Sequence, residues 1–464
     1  MSKEKSERKE KLFYQQKNGY ELIDEEELQL LENYCRGYMS FLNSAKTERE
    51  AVAAGIELAK AAGFVPYKTG MELKVGTKVY CSNRSKALML AVIGKKSLSE
   101  GSVIAAAHVD SPRLDLKQVP MYEDNEICYF KTHYYGGIKK YQWLTIPLEL
   151  HGVVVLKDGQ TIDICIGKDK TDPIFQITDL LPHLNKEQKK KNADDFVPGE
   201  SLNLLIGTIP DKEDTTDKVK LAIMDLLNKK YGIIEEDFLS AELSAVPAYE
   251  VREVGLDRSM IAGYGHDDRV CAYAELAAIL ETEAPEKTAV CILADKEEIG
   301  SEGVSGMKSM AFERFMGDLC DTQDVKLTHC FANSFCVSAD VTNAFDPNYP
   351  DVSEKRNSAK VNYGMGICKF TGHGGKSDSS DASAEVVARL RHIFAENKVV
   401  WQMAELGKVD QGGGGTVAMY MAERDIDTID AGVPVLSMHA PYETVSKFDC
   451  YMTYKGIKAA YAEK

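Results

Sequence analysis

Short apolar runs, amphipathic segments between them and a middle stretch of different texture predict an α/β chain. The expected architecture is an open mixed sheet flanked by helices on both faces, interrupted by a β-rich insert. The runs 87–93, 102–107, 289–294, 335–339 and 433–438 are too short for helices and lack polar alternation, as strands covered on both faces do. Helical spacing recurs at 270–280, 383–396 and 446–462. Buried strands alternating with helices build such a sheet.

Each element has its own local signal. Thr47-Glu48-Arg49-Glu50 has capping-box spacing, Val52, Ile56 and Ala59 follow at helical intervals, and Gly63 supplies a stop. In the middle, Asp158-Gly159 separates 153–156 from 161–166, where Ile162, Ile164 and Ile166 alternate with Thr161, Asp163 and Cys165. That pattern predicts a half-exposed antiparallel hairpin. The charge-rich stretches 185–195 and 210–217 read as solvated loops, and a helix over 218–231 closes at Gly232. The buried-strand texture stops at one edge of this region and resumes past the other. The expected organisation is one α/β domain in two parts, 1–114 and 246–464, around an inserted domain at 115–245.

Composition narrows the function. The 464 residues carry 56 Lys+Arg against 72 Asp+Glu, a formal charge of −16, and 44% are hydrophobic. Such a chain buries a sizeable core, and its acid excess disfavours sequence-independent binding to nucleic acid or anionic membranes. The first 17 residues contain no apolar signal core, and the best apolar run, 87–93, is far short of the roughly 18 residues needed to span a bilayer. A cytoplasmic location is expected. The eleven cysteines are scattered singly with no C-x-x-C pair; thiols within apolar stretches, such as Cys165 and Cys291, are expected to be buried.

Several motifs fail on one position. Gly375-Lys376-Ser377 resembles the end of a phosphate loop, but Phe370 stands where its first glycine belongs. Gly303-Val304-Ser305-Gly306-Met307 lacks the final glycine of a nucleophile elbow, and Gly263-x-Gly265 lacks the third glycine of a dinucleotide loop. The glycines at 412–415 fit either a flexible loop or a backbone that approaches a ligand closely, which makes Gly414 a candidate substrate contact.

The chemistry concentrates at strand ends. Of nine histidines, His108 and His439 directly follow buried-strand runs; Asp340 follows Val337-Ser338-Ala339, and Glu297-Glu298 follow the run ending near Ala294. Carboxyl ends of strands form the ligand crevice of an open α/β sheet, so these residues are expected to converge. Two histidines with carboxylates and no cysteine suit zinc or a similar divalent ion. Asp267, in Gly265-His266-Asp267-Asp268-Arg269, is a further candidate ligand. Asp267 or Asp268 fits a helix N-cap as well, and His266 competes as a ligand on spacing. The adjacent Glu297 and Glu298 point in different directions, so one can bind metal while the other faces substrate as a base.

Ala107-His108-Val109-Asp110-Ser111-Pro112, Asp295-Lys296-Glu297-Glu298-Ile299-Gly300-Ser301, Ser338-Ala339-Asp340, Pro347-Asn348-Tyr349 and Ser437-Met438-His439, in this order, resemble the aspartyl aminopeptidase and vacuolar aminopeptidase I family of dizinc exopeptidases. The resemblance covers nearly the whole chain. It implies a catalytic α/β domain with an inserted dimerisation domain, and two divalent ions, zinc with manganese or cobalt as alternatives. It further implies a metalloaminopeptidase that releases N-terminal residues from peptides through a metal-bridging hydroxide. On this resemblance Asp267 bridges the metals, His108 and Asp340 complete one site, and Glu298 and His439 complete the other. Asp110 would orient the His108 ring and Glu297 would be the general base.

Two departures resemble the bacterial and vacuolar aminopeptidase I branch. Lys296 stands where aspartyl aminopeptidases usually have Asn, and Asp346 where they usually have His. A preference for acidic residues is thereby left open, since Lys296 would attract an acidic side chain and Asp346 would repel it. Family members also place an insert histidine in a neighbouring subunit's site; His183 is the candidate, with a structural role as the alternative. The resemblance implies a homo-oligomer, dimer-based and up to a tetrahedral dodecamer. Competing readings are another dimetal amidohydrolase, such as a deacylase or dipeptidase, or a self-assembling shell or binding protein with a vestigial site. Intact Glu297 and five candidate ligands argue against the last.

Overall fold

The computed structural model describes residues 8–9, 11–212 and 216–464. Part of the polar N-terminus (1–7 and 10) and part of the expected 210–217 loop (213–215) lie outside the described residues. The largest sheet has nine strands. From edge to edge they are Val65–Pro66, Lys78–Asn83, Ala87–Val92, Thr288–Ala294, Ser102–His108, Phe335–Ser338, Asp427–Gly432, Met365–Cys368 and Trp401–Met403. The four strands from Thr288–Ala294 to Asp427–Gly432 run parallel, so their carboxyl ends share one edge. Ala87–Val92 and Met365–Cys368 pair antiparallel to this block on either side, which makes the sheet mixed.

Side-chain parity explains why these strands read as unbroken apolar runs. Val103, Ala105 and Ala107 enter a core shared with Glu25–Ser44, Glu48–Ala61, His266–Leu280, Ala384–Glu396 and Lys447–Tyr461. Ile104 and Ala106 enter a second core with Ala311–Asp321, Leu327–Ala332 and Val417–Ala422. With helices on both faces, no position along the strand meets water. The helix Glu48–Ala61 begins in the expected capping box, with Thr47 and Glu50 each satisfying the other's backbone; such a cap contributes about 1 kcal/mol.

A second sheet of six antiparallel strands lies between residues 113 and 247 and has its own core around Trp143, Leu150, Leu204 and Phe238. It contains the hairpin Leu148–Val155 and Thr161–Ile166, and the helix Lys218–Tyr231 ends at Gly232 in the left-handed conformation. The Glu123 carboxylate caps that helix, accepting the N–H groups of Val219 and Lys220 at 2.9 Å. A buried ionic network joins this unit to the large sheet's layer. The His151 ring bonds Glu50 Oε1 at 2.8 Å through Nδ1, and Lys46 Nζ lies 3.4 Å from Glu149.

Three local expectations are corrected. The apolar run 433–438 yields the strand Pro434–Leu436, but it belongs to a third, five-stranded sheet with Thr342–Asn343, Glu443–Ser446, Met260–Gly263 and Arg252–Val254. The large sheet instead uses Asp427–Gly432, in which Asp427, Thr428 and the buried Asp430 leave no apolar run to read. Cys165 is exposed because it shares the hairpin's outer face with Thr161 and Asp163. The stretch 185–195 is not all loop: Gln188–Lys190 forms a 3-10 turn, and Ala193–Phe196 a single helical turn.

Candidate metal centre

The shared carboxyl edge delivers most of the cluster. His108 is the last residue of its strand, Asp340 lies just past Phe335–Ser338, and Glu297 and Glu298 open a 3-10 turn after Thr288–Ala294. Asp267 comes from the non-helical start of His266–Leu280. His439 lies between Pro434–Leu436 and Glu443–Ser446 and holds a φ of 63°, a left-handed conformation uncommon for a side chain of its size. The fold therefore spends backbone conformational freedom to aim this ring.

The Asp267 carboxylate stands between two imidazoles: its Oδ1 lies 3.1 Å from His108 Nε2 and its Oδ2 3.1 Å from His439 Nε2. Asp340 Oδ1 is 3.9 Å from His108 Nε2, and Glu298 Oε2 is 3.5 Å from His439 Nε2. Potential ligand atoms of His108, Asp267 and Asp340 all lie within 4.8 Å of one another, as do those of Asp267, Glu298 and His439. Glu297 belongs to neither group, with its Oε2 3.8 Å from His108 Nε2.

Behind these side chains lies a set of orienting contacts. His108 Nδ1 donates to the Asp110 carbonyl at 3.0 Å, and His439 Nδ1 to the Gly137 carbonyl at 2.8 Å. Each bond fixes the tautomer that leaves Nε2 free to face the cluster. The Asp110 carboxylate accepts the N–H groups of Glu297 and Glu298 at 3.1 and 3.2 Å, and the Tyr135 hydroxyl at 2.8 Å. Glu443 does the corresponding work on the other side, accepting the N–H groups of His439 at 2.7 Å and Asp267 at 3.1 Å. Tyr135 and Gly137 come from the second sheet's unit, so the site is completed across the two units. Gly136 lets that backbone pass, since it holds a φ of 72° and a Cβ there would meet Glu298 at 3.3 Å.

The electrostatics describe a site short of positive charge. Burial, reinforced by neighbouring acids, pushes the carboxyls of Asp340 and Glu298 well up and that of Glu297 to about 7. Burial opposes charge on the histidines, yet contacts with Asp110 and Asp267 raise His108 well above its ordinary value. Asp267 and Glu298 likewise raise His439 to about 10. Asp267 is itself held low, because bonds with both histidines outweigh its burial. The protons held by these acids and imidazoles stand where cations would balance the clustered carboxylates, and a bound ion would displace them from the ligand atoms. Glu298 Oε1 and both oxygens of Asp268 are buried without a protein donor. A nitrogen and oxygen donor set in two adjoining groups fits borderline divalent ions.

The remaining candidates fall in different places. Gly414 lines a cavity of about 480 Å³ that opens from Asp267, Glu297, Glu298, Asp340 and His439. The neighbouring Gly413 is required for packing, since a Cβ there would fall 1.9 Å from the Gly372 carbonyl oxygen. Lys296 does not line this cavity; it faces a separate cleft with Glu48 and Arg113, because the left-handed φ of 69° turns it away. His183 is exposed and lines no part of its own chain's cavity. His266 bonds the Tyr38 hydroxyl at 2.6 Å and joins neither ligand group. Asp346 caps its own turn by accepting the Asn348 N–H at 2.8 Å. Sequence reasoning missed Tyr135, Gly137, Glu443 and Asp430. Of these only Asp430 left a signal, as an acid between Ile429 and Ala431 in a short run of mixed polarity.

An open mixed sheet with a buried histidine–carboxylate cluster at its strand ends has the donor set and placement of a metal-dependent enzyme's centre. Residues 41–461 match the family model described as Aminopeptidase I zinc metalloprotease (M18), and the chain belongs to that family of peptide-bond hydrolases. It is 49% identical over 457 residues to the probable M18 family aminopeptidase 1 of Clostridium acetobutylicum, spanning 97% of this chain and 98% of that one. The crystal structure of the M18 aminopeptidase of Thermotoga maritima matches with a TM-score of 0.94 at 43% identity, covering 97% of this chain and 100% of that one. The S. cerevesiae mApe1 dodecamer shares the fold, with a TM-score of 0.74 at 20% identity over 93% of this chain and 96% of that one.

Proposed function

We propose that this metalloaminopeptidase holds two divalent ions, zinc in the first instance, and removes single residues from the N-termini of peptides. The observation that carries the reading is Asp267, one carboxylate 3.1 Å from each of two histidine nitrogens that belong to separate ligand groups. His108 and Asp340 would hold one ion and Glu298 and His439 the other, with Asp267 shared. When bound, the ions supply Lewis acidity toward the scissile carbonyl and acidify water.

The chain's own residues do the rest. Glu297 stands beside the cluster without joining it, at the wall of the cavity. Its carboxylate takes the proton from the attacking water and passes it to the leaving amine nitrogen. Burial pushes that carboxyl up in the metal-free cluster, and bound cations would draw it back toward the ionised form that a base needs. Asp110 holds both the His108 ring and the N–H groups of the Glu297–Glu298 turn, so ligand and base keep a fixed relation. A free N-terminal amine would meet the metal centre and its carboxylates at the cavity wall, which would restrict cleavage to the first residue. Glu297→Gln is the test: it should retain the metal and lose at least ~100-fold in turnover, and near-normal turnover would overturn the assignment.

The unit at 113–247 is read as a dimerisation domain of a homo-oligomer, with the dodecameric S. cerevesiae relative as precedent. Leu180, Leu181 and Leu184 flank His183 and are 50%, 49% and 67% exposed, an apolar patch suited to carrying that histidine into a neighbouring subunit. Among the described residues no helix is long and apolar enough to cross a membrane. Eleven unpaired cysteines support a reducing cytoplasmic setting.

A further inference from the structure

The cavity beside the cluster carries one acid too many. We propose that it selects peptides whose N-terminal side chain is cationic, lysine or arginine, with Asp430 as the residue that sets this specificity. The inference rests on the aminopeptidase reading of the same cavity and deepens it. Of the acids on the wall, Asp267, Glu297, Glu298 and Asp340 belong to the strand-end cluster, where two divalent ions would balance them. Asp430 has no such counterpart. It lies within Asp427–Gly432 opposite Cys368, is 3% exposed, and accepts the Thr416 hydroxyl at 2.8 Å. A carboxylate has about four acceptor positions, so it keeps capacity for a ligand's donors.

Among the described residues no lysine or arginine lines this cavity. Lys296, the cation closest in sequence to the Glu pair, is turned into the other cleft. Burial without a counterion raises the Asp430 carboxyl to about 7, and a bound ammonium or guanidinium would stabilise its ionised form. Phe370, Leu406 and Met438 offer apolar wall for the methylene stem of a basic side chain, whose head seeks the acid. An acidic side chain would find no cation at Asp430 and would drive that carboxyl further toward its protonated form, so it gains none of the charge pairing open to a basic side chain. The volume of about 480 Å³ is enough for a long side chain.

The test uses the zinc-loaded full-length enzyme and a tripeptide series differing only in the first residue: Lys, Arg, Leu, Asp and Glu, with N-acetyl-Lys as the blocked control. We expect kcat/KM for Lys and Arg to exceed that for Asp and Glu by ~100-fold, and Asp430→Asn to lower the Lys-to-Leu ratio ~10-fold, mainly through KM. Asp or Glu peptides cleaved as fast as Lys peptides, or an unchanged Lys-to-Leu ratio in the variant, overturns the inference while the aminopeptidase reading stands. No cleavage of any unblocked peptide overturns both. The wild-type series decides the order of basic and acidic residues by itself, even where the variant fails to fold.

Discussion

Asp110 Oδ1 accepts the backbone N–H of Glu297 at 3.1 Å. The same residue holds the His108 ring through its carbonyl, so a proposed metal ligand and the proposed base hang from one side chain and its backbone. Asp110→Asn replaces one acceptor oxygen with a donor that faces the N–H groups of the turn. Metal affinity measured by chelator competition should fall about 10–100-fold, and turnover at saturating metal should fall as well, because the base is displaced. Loss of affinity with full turnover at saturating metal would separate the two roles.

Glu443 touches no proposed reacting atom, yet it fixes His439 and Asp267 through their backbones. In Glu443→Gln one of these N–H groups meets an amide donor. Metal should dissociate more readily, again by about 10–100-fold, with KM for peptide unchanged once metal is saturating. A shifted KM would place Glu443 in substrate binding instead.

Removing metal should lower both activity and stability, since the cluster packs carboxylates together in a buried site. A ligand that binds only the folded state stabilises it by about 2.7 kcal/mol at one hundred times its Kd. The thermal midpoint should therefore drop on chelation and recover with added zinc, manganese or cobalt. A midpoint unmoved by chelation would argue against a metal held by these residues.

His151 links the two units. Burial opposes its charge, but contacts with Cys165, Glu149 and Glu50 raise it to about 11. The imidazolium contributes stability that is fully present below the unfolded value of about 6.5 and is lost as pH rises through about 11, at up to ~1.4 kcal/mol per pH unit. Between pH 6.5 and 8.5 wild type should lose urea resistance relative to His151→Gln. Parallel curves for the two proteins would show that the ring is neutral in the fold.

The apolar patch around His183 makes the assembly testable. Leu181→Asp with Leu184→Asp should reduce the mass measured by light scattering without unfolding the chain, because both side chains are about half exposed or more. An unchanged mass would place the interface elsewhere.

The reading of the fold from sequence succeeded where burial acts on every position of an element. Residues 102–107 are apolar at both parities because helices cover both faces, and the Thr47 cap and the Gly232 stop are local chemistry. It erred where local pattern is silent about partners. An apolar strand at Pro434–Leu436 looks the same in either sheet, and Asp427–Gly432 was hidden by its three polar residues, Asp427, Thr428 and Asp430.

The sequence by itself determined the α/β class, the strand-end position of His108, Asp340 and the Glu pair, and the family. These follow from periodicity and short motifs, which act within a few residues. Only the tertiary structure decided which of Asp267, Asp268 and His266 faces the cluster, that Lys296 turns away, and that Tyr135, Gly137 and Glu443 brace the site. Those outcomes depend on backbone angles and on contacts between distant segments, as between Asp110 and Glu297, Glu443 and Asp267, and Gly137 and His439, which no local pattern encodes.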